Sequence, residues 1–224
     1  IRDRACSEAL LRQWLDKGVP LSQGWGMTET GPGSLVLDAS DALRKIGSCG
    51  KPVLYNEVQI VDDKLKKVGV DEVGQLIVRG PNVTPGYWGS SEANETDFSD
   101  GWLKTGDAAK VDREGYFYIV DRIKDMFISG GENVYPAEIE NVLYELPGIL
   151  EVAVIGIPDE KWGEVGMAVV VCNPQLVLEE GVILDHCSKH LAKYKVPKRV
   201  VFTAEIPKTA SGKIQKTLLL DLFE

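Results

Sequence analysis

Residues 126–172 read MFISGGENVYPAEIENVLYELPGILEVAVIGIPDEKWGEVGMAVVVC, and the changing periodicity of this stretch decides the fold of the C-terminal half. Residues 126–129 are a short apolar run that predicts a strand. Residues 136–145 predict a helix. Proline is tolerated in a first helical turn because its missing N–H has no intrahelical partner there. Ile139, Val142, Leu143 and Leu146 then fall inward on one face. Residues 149–157 and 167–172 predict strands, 179–192 a helix, 199–203 a strand and 216–222 a last helix. Strands and helices interleaved in this way predict a compact α+β domain over residues 126–224.

Upstream the pattern changes. Between residues 46 and 119 short alternating runs are split by Gly, Pro, Asp and Asn, with residues 57–61, 75–78 and 116–120 as examples. Turns at Asp62-Asp63 and at residues 112–115 separate them, which predicts a small antiparallel β-sheet or barrel. Residues 7–17 predict an amphipathic helix, with Ser7 as N-cap, Leu10, Leu11, Trp14 and Leu15 as its apolar stripe, and Gly18 as its stop. That stripe needs a surface to pack on. Left uncovered, it predicts association with a second copy of the chain. The boundary between the two halves falls at residues 122–125.

The 224 residues are enough for one large or two modest domains, and 44% hydrophobic with 26% charged residues is ordinary for a globular protein. A net charge of −9 argues against nucleic acid as a partner bound through a general basic field, though it allows a local phosphate site. No apolar run approaches the roughly 18 residues that span a bilayer. Cys6, Cys49, Cys172 and Cys187 are scattered without CxxC spacing, which predicts reduced, inert thiols and a cytoplasmic setting.

Four polar clusters follow one another in the chain: Gly24-Trp25-Gly26-Met27-Thr28-Glu29, Leu103-Lys104-Thr105-Gly106-Asp107, Asp121-Arg122-Ile123-Lys124-Asp125 and Pro207-Lys208-Thr209-Ala210-Ser211-Gly212-Lys213. In the first, glycines admit close backbone approach, a planar ring can stack on adenine, a hydroxyl can donate to phosphate, and a carboxylate can hold Mg²⁺. Read alone, it is equally a glycine-rich turn around a buried Trp. In the second, Asp107 follows a turn and reads as a cap or a solvated residue, although a carboxylate can also accept two vicinal ribose hydroxyls. In the third, Arg122 reads as a surface partner of Asp121 or Asp125, and in the fourth Lys213 as a solvated lysine on a flexible segment.

Taken together and in this order, the clusters resemble the later core motifs of the adenylate-forming enzymes, which include acyl-CoA synthetases, luciferases and peptide-synthetase adenylation domains. Residues 130–140 and 158–164 resemble the AMP-forming fatty-acyl-CoA ligases in particular. The resemblance runs from Cys6 onward. It implies the C-terminal portion of such an enzyme, because the family's phosphate loop lies upstream of these motifs. Residues 1–5 do not match the family's usual turn and are set aside. The domains it implies are 1–121 as the later part of the large AMP-binding domain, 122–125 as a hinge, and 126–224 as a mobile C-terminal domain.

The resemblance implies ATP or AMP, Mg²⁺ and CoA as ligands, with a carboxylic acid, by implication a fatty acid, as substrate. Gly24, Trp25, Gly26, Met27, Thr28, Asp107 and Arg122 would contact the nucleotide. Thr28 would face the α-phosphate, Glu29 would position the metal, and Asp107 would take the ribose. Lys124 would be the hinge residue. Gly130 and Gly131 would let the pantetheine arm of CoA pass close to backbone, with Trp162 and Tyr194 beside it. Some relatives carry Arg where Val196 stands, so Lys195 or Lys198 would substitute in contacting phosphate. Lys213 would neutralise charge as the carboxylate attacks the α-phosphate. Without the phosphate loop, the 224 residues alone are expected to bind nucleotide weakly and not to turn over.

Two alternatives stay open within the family, a peptide-synthetase adenylation module and a luciferase-like enzyme. From another class, the chain could be a non-catalytic nucleotide- or partner-binding piece. His186 and His190 stand four apart, a spacing that can bind zinc, but the sequence offers no third ligand and Cys187 points to another face. An exposed helical pair is the expectation.

Overall fold

The computed structural model describes residues 8–223 apart from Pro20, Pro32, Val177 and Ser211. Cys6, the Ser7 cap and residues 1–5 therefore lie outside the described residues. The chain divides into two compact units, one ending at Ile123 and the other running from Lys124 to the C-terminus.

The N-terminal unit begins with α1 (Glu8–Leu15), after which the chain turns at Gly18. Leu11 is buried at 3% exposure, so the face closes there within the chain itself, while Trp14 stays 42% exposed at its edge. The strands β1 (Gly24–Trp25), β2 (Leu35–Val36) and β3 (Lys51–Pro52) form a small antiparallel sheet in that order. A five-stranded sheet follows from β4 (Glu57–Val61), β5 (Gly74–Arg79), β6 (Phe98–Ser99), β7 (Trp102–Val111) and β8 (Phe117–Arg122), with α2 (Ser91–Asp97) between β5 and β6. All its pairings are antiparallel, and β6 and β8 pair with different parts of β7. Leu35, Ile60, Leu76, Ala109 and Phe117 form the core beneath it.

The antiparallel sheet expected from the alternating runs is present. Helix α2 and the ten-residue β7 were not read from the sequence. Asp107 consequently lies inside a long strand rather than after a turn, because the glycine and threonine before it are taken up in a bulge.

The C-terminal unit contains β9 (Phe127–Ser129), β10 (Glu132–Val134), α3 (Pro136–Leu143), β11 (Ile149–Asp159), β12 (Gly163–Cys172), α4 (Glu180–His190), β13 (Arg199–Phe202) and α5 (Lys216–Phe223). Its sheet runs β10-β9-β12-β11, and β13 lies parallel to β12. The near-continuous apolar runs of β11 and β12 follow from burial on both faces. Val152, Val154, Ala168 and Val170 pack with Ile139, Leu143, Ile183 and Cys187 from α3 and α4. The alternate residues Ala153, Ile155, Met167 and Val169 pack with Ile206 and with Leu219 of α5.

Among the described residues, strand β11 pairs with β12. Side chains of the α3 segment also reach the amides on its other edge. The Val154 N–H donates to Glu140 Oε1 at 2.8 Å, and the Val152 N–H donates to the Tyr144 hydroxyl at 3.3 Å. Lys216 of α5 reaches the same Glu140 oxygen at 3.0 Å. Glu140 is 2% exposed, so one carboxylate ties the helices of both faces across the sheet edge. Removing one partner of a buried pair leaves the other charge uncompensated. Glu140→Ala is expected to lower the unfolding free energy by about 3–5 kcal/mol in urea denaturation. Glu140→Gln keeps an acceptor for Val154 and is expected to lose less.

Candidate active site

The site in the N-terminal unit starts from the bulge in β7. Gln75 pairs with Ala108 and Ile77 with Lys104, so Leu76 alone faces Thr105, Gly106 and Asp107. Extra residues on one strand leave part of the ladder unpaired and re-aim side chains. Gly106 takes φ +72, which a side-chain-free residue adopts at little cost. Thr105 fills the gap in the ladder: its hydroxyl donates to the Leu76 carbonyl at 2.8 Å and accepts from the Asp107 N–H at 3.1 Å.

Asp107 is thereby turned inward and is 4% exposed. Arg122 is its direct cross-strand partner on β8, and Arg122 Nε lies 2.7 Å from Oδ1. The Trp25 indole N–H donates to Oδ2 at 2.8 Å. Each carboxylate oxygen thus has one donor. Burial raises the carboxyl pKa of Asp107, outweighing the Arg122 charge and the Trp25 hydrogen bond, which lower it. The Trp25 N–H is committed to Asp107, as a half-buried indole requires, and its ring packs partly against the core below the sheet.

Thr28–Thr30 forms a single 3₁₀ turn. The fully buried Thr30 holds it in place, accepting from the Met27 N–H at 3.0 Å, while Asn82 donates to the Thr30 carbonyl. Thr28 is exposed and Glu29 half-buried. The Tyr87 hydroxyl donates to Glu29 Oε1 at 3.1 Å, and Phe98 supports the Tyr87 ring edge-on with centroids 5.8 Å apart. Burial, with the Glu29 and Asp97 carboxylates adding to it, pushes the Tyr87 phenol up to about 12, so it stays a donor. Glu29, Met27, Tyr87, Thr105, Gly106 and Arg122 line one cleft of about 350 Å³. Tyr87 and Asn82 lie outside the polar clusters of the sequence, whereas Thr105 stands in the second of them. Gly24 pairs with Val36 in β1, and a side chain there would sit 3.1 Å from the Leu35 carbonyl oxygen. Gly26 is exposed.

In the C-terminal unit, Lys124 is exposed within the 3₁₀ turn Ile123–Asp125. Residues 129–133 form the β9–β10 hairpin, because Ser129 pairs with Glu132. Gly130 and Gly131 make its turn at φ +62 and +87. A Cβ on Gly131 would meet nothing within 4 Å. A Cβ on Gly130 would lie 2.6 Å from the Trp162 ring, and the Gly130 N–H donates to the Trp162 carbonyl at 2.8 Å. Tyr194 packs partly against the core. Lys195 is committed to Glu138 at 2.7 Å, which removes it as a ready phosphate contact. Lys198 is exposed.

Lys213 is exposed on a turn closed by hydrogen bonds rather than on a loose segment. The Thr209 N–H donates to the Lys213 carbonyl at 2.7 Å, the Lys213 N–H to the Thr209 hydroxyl at 3.1 Å, and Lys208 bridges to Ile214. Ser211 of the same motif lies outside the described residues.

Residues 3–88 match the family model for AMP-binding enzymes, and residues 138–213 match that for the AMP-binding enzyme C-terminal domain. The chain is 50% identical over 207 residues to a feruloyl-CoA synthase of Amycolatopsis, covering 92% of this chain and 42% of that protein. It is 43% identical over 218 residues to a long-chain-fatty-acid–CoA ligase of Mycobacterium tuberculosis, covering 96% and 42%. Among solved structures, the o-succinylbenzoate-CoA synthetase of Bacillus subtilis in complex with its acyl-adenylate superposes with a TM-score of 0.93 at 39% identity, covering 97% of this chain and 44% of that one. The same enzyme in complex with ATP and magnesium ion superposes with a TM-score of 0.92. The chain thus spans less than half the length of these relatives.

Asp107 supplies a pH test. Its folded-state pKa lies above the ordinary 3.8, so the folded chain holds this proton more tightly than the unfolded chain. Its contribution to stability is complete below that value and is lost as pH rises through the raised one. Relative to Asp107→Asn, the wild-type chain is expected to lose stability as pH climbs through that window, read by urea denaturation at successive pH values. A difference that stays flat with pH would contradict the burial argument. At the hairpin, Gly130→Ala is expected to destabilise by about 1–3 kcal/mol through strain and collision with Trp162. Gly131→Ala, strained but with nothing within 4 Å of the added methyl, is expected to cost less in thermal melts.

Proposed function

The chain belongs to the AMP-binding, adenylate-forming enzyme family, and from that premise we propose that the whole protein is an acid–thiol ligase. It joins a carboxylic acid to ATP as acyl-AMP, releasing pyrophosphate, and then transfers the acyl group to CoA, releasing AMP. The observation that carries this reading is the Asp107 carboxylate, buried between Trp25 and Arg122 beside a cleft that Glu29 lines. A carboxylate has about four acceptor positions, so one donor on each oxygen leaves capacity for the two vicinal hydroxyls of a ribose. The guanidinium of Arg122 adds positive charge at the ribose–phosphate edge.

In this proposal Gly24, Trp25, Gly26 and Met27 form the wall of the nucleotide site, and the exposed Thr28 hydroxyl donates to the α-phosphate. Glu29 fits Mg²⁺: magnesium is commonly held by one or two carboxylates together with substrate phosphates, and Glu29 has a free oxygen besides the one bound to Tyr87. Bound there, the ion would neutralise phosphate charge. In the first half-reaction a substrate carboxylate oxygen attacks the α-phosphorus and the bond to pyrophosphate breaks. Lys213 supplies the ammonium that offsets the charge gathered in that step. In the second, the CoA thiolate attacks the acyl carbonyl carbon and AMP leaves. Gly131 and Gly130, with Trp162 and Tyr194 nearby, guide the pantetheine arm, and Lys124 is the hinge between the two steps.

Two acid classes are supported by similarity. The 50% identity to a feruloyl-CoA synthase supports an aryl-substituted acid, and the 43% identity to a long-chain-fatty-acid–CoA ligase supports a fatty acid. Cys49, Cys172 and Cys187 are free thiols, which fits the reducing setting of the cytoplasm that we propose. No helix among the described residues is long and apolar enough to cross a membrane.

The test is Lys213→Ala in the whole protein. Acid-dependent exchange between ATP and pyrophosphate is expected to fall about 10²–10³-fold, the size of losing one preorganised charge-stabilising donor. Thioester formation from presynthesised acyl-AMP and CoA is expected to stay near wild type. Equal losses in both assays would overturn the assignment of Lys213. Pyrophosphate release compared across ferulate, o-succinylbenzoate and aliphatic acids of several lengths identifies the acid class, and release with none of them would overturn the ligase reading.

A further inference from the structure

We infer that Glu145, His186 and His190 form a binding site for a divalent transition metal of the zinc class on the C-terminal unit. The inference is independent of the ligase reading. The sequence spacing of the two histidines suggested only an exposed pair. The structure adds the third group, which stands forty-one residues before His186 in the chain.

Helix α4 places His186 and His190 one turn apart, and their rings lie with centroids 4.4 Å apart at 39°. Helix α3 packs against the same core as α4, with Leu143 and Ile183 both fully buried there. Glu145, two residues beyond Leu143, is thereby brought beside the histidines. Its Oε2 lies 3.7 Å from His186 Nε2, and one ligand atom from each of the three residues falls within 4.8 Å of the others. Tetrahedral ligands about 2.1 Å from a zinc ion sit roughly 3.4 Å apart, so the three groups would have to draw in by up to about 1.4 Å to hold one. Glu145 and His190 are exposed and free to close the remaining gap, while His186 is half-buried and fixed.

The donor set has the right chemistry. Two imidazoles and one carboxylate suit zinc, with water completing a tetrahedron. The His190 ring has a backbone partner of the kind that orients a metal-binding histidine, and the His186 ring has one when Nδ1 is its ligand atom. His186 Nε2 lies 3.0 Å from the Val142 carbonyl oxygen, and His190 Nδ1 lies 2.9 Å from that of His186. Coordination through His186 Nδ1 would keep its Val142 contact, and coordination through Nε2 would replace it. Cys187 is not a fourth ligand, because its side chain is buried in the core and desolvation holds its thiol protonated. A bound ion would clip the end of α3 to the last turn of α4.

The competing explanation is electrostatic. A protonated histidine in the last turn of a helix is favoured by the helix dipole, and Glu145 would then be an ordinary partner of His186. Calorimetric titration of the untagged, metal-free 224-residue chain with zinc chloride separates the two. One equivalent of zinc is expected to bind and to raise the melting temperature, and cobalt(II) is expected to show the visible bands of a four-coordinate site. His190→Ala and Glu145→Gln both change exposed side chains, so each variant should fold, and each is expected to weaken zinc binding at least about tenfold. Failure of the wild-type chain to bind zinc would overturn the site. So would undiminished affinity in both variants. Loss with His190→Ala but not with Glu145→Gln would reduce the site to a bare histidine pair and overturn the three-ligand assignment.

Discussion

The Asp107 carboxylate is nearly sealed from water, and much of the N-terminal unit is arranged around satisfying it. An ionisable group buried without partners is costly enough that it would sooner neutralise than stay charged. Here the cost is offset from two directions, by the indole N–H of Trp25 in the small sheet and by the guanidinium of Arg122 on the next strand. The pairing of Asp107 with Arg122 is a cross-strand contact at the end of β8, and it follows a register shift between Ala108 and Ala109. The bulge at Thr105-Gly106 makes that orientation possible, and the Thr105 hydroxyl occupies the carbonyl that the bulge would otherwise leave bare. Trp25, Thr105, Gly106 and Arg122 therefore act on one group, and the cleft beside it is shaped by the same residues.

The C-terminal unit meets a different constraint. A sheet apolar on both faces needs helices on both, and such a sheet still has an edge. Glu140 and Tyr144 cover the amides of β11, and Lys216 brings the opposite helix to the same carboxylate. The hairpin of Gly130 and Gly131 shows a similar economy. Trp162 lies against the first glycine and leaves the second open, so two adjacent glycines with the same backbone sign have different duties. One admits an indole ring from within the chain; the other faces free space.

Within the N-terminal unit, Glu29 is held more firmly than a solvated carboxylate. Its 3₁₀ turn is anchored by the buried Thr30 and by Asn82, and Tyr87 fixes one carboxylate oxygen. A phenol that stays protonated in this surrounding is a dependable donor, so the remaining oxygen is presented in one direction. Preorganisation of this kind is what an electrostatic site requires, since groups that must reorient during a reaction give up part of their effect.

The sequence by itself determined the element types of the C-terminal unit apart from β10, because each of the others depends on a local period. Proline at the start of α3, the helical spacing of Ile139 and Leu143, and the apolar runs of β11 and β12 are legible within a window of about a dozen residues. The order of the polar clusters pointed to the family for the same reason, since each cluster is contiguous. Tertiary structure alone decided what those residues touch. Trp25 and Asp107 are 82 residues apart, Glu29 and Tyr87 are 58 apart, and Glu145 meets His186 only because α3 and α4 share a core. Periodicity reports which face of an element is apolar. It does not report strand register, the position of a bulge, or which side chain from a neighbouring element fills a given space, and those fixed the burial of Asp107, the closing of Gly130 by Trp162 and the third group beside the histidines.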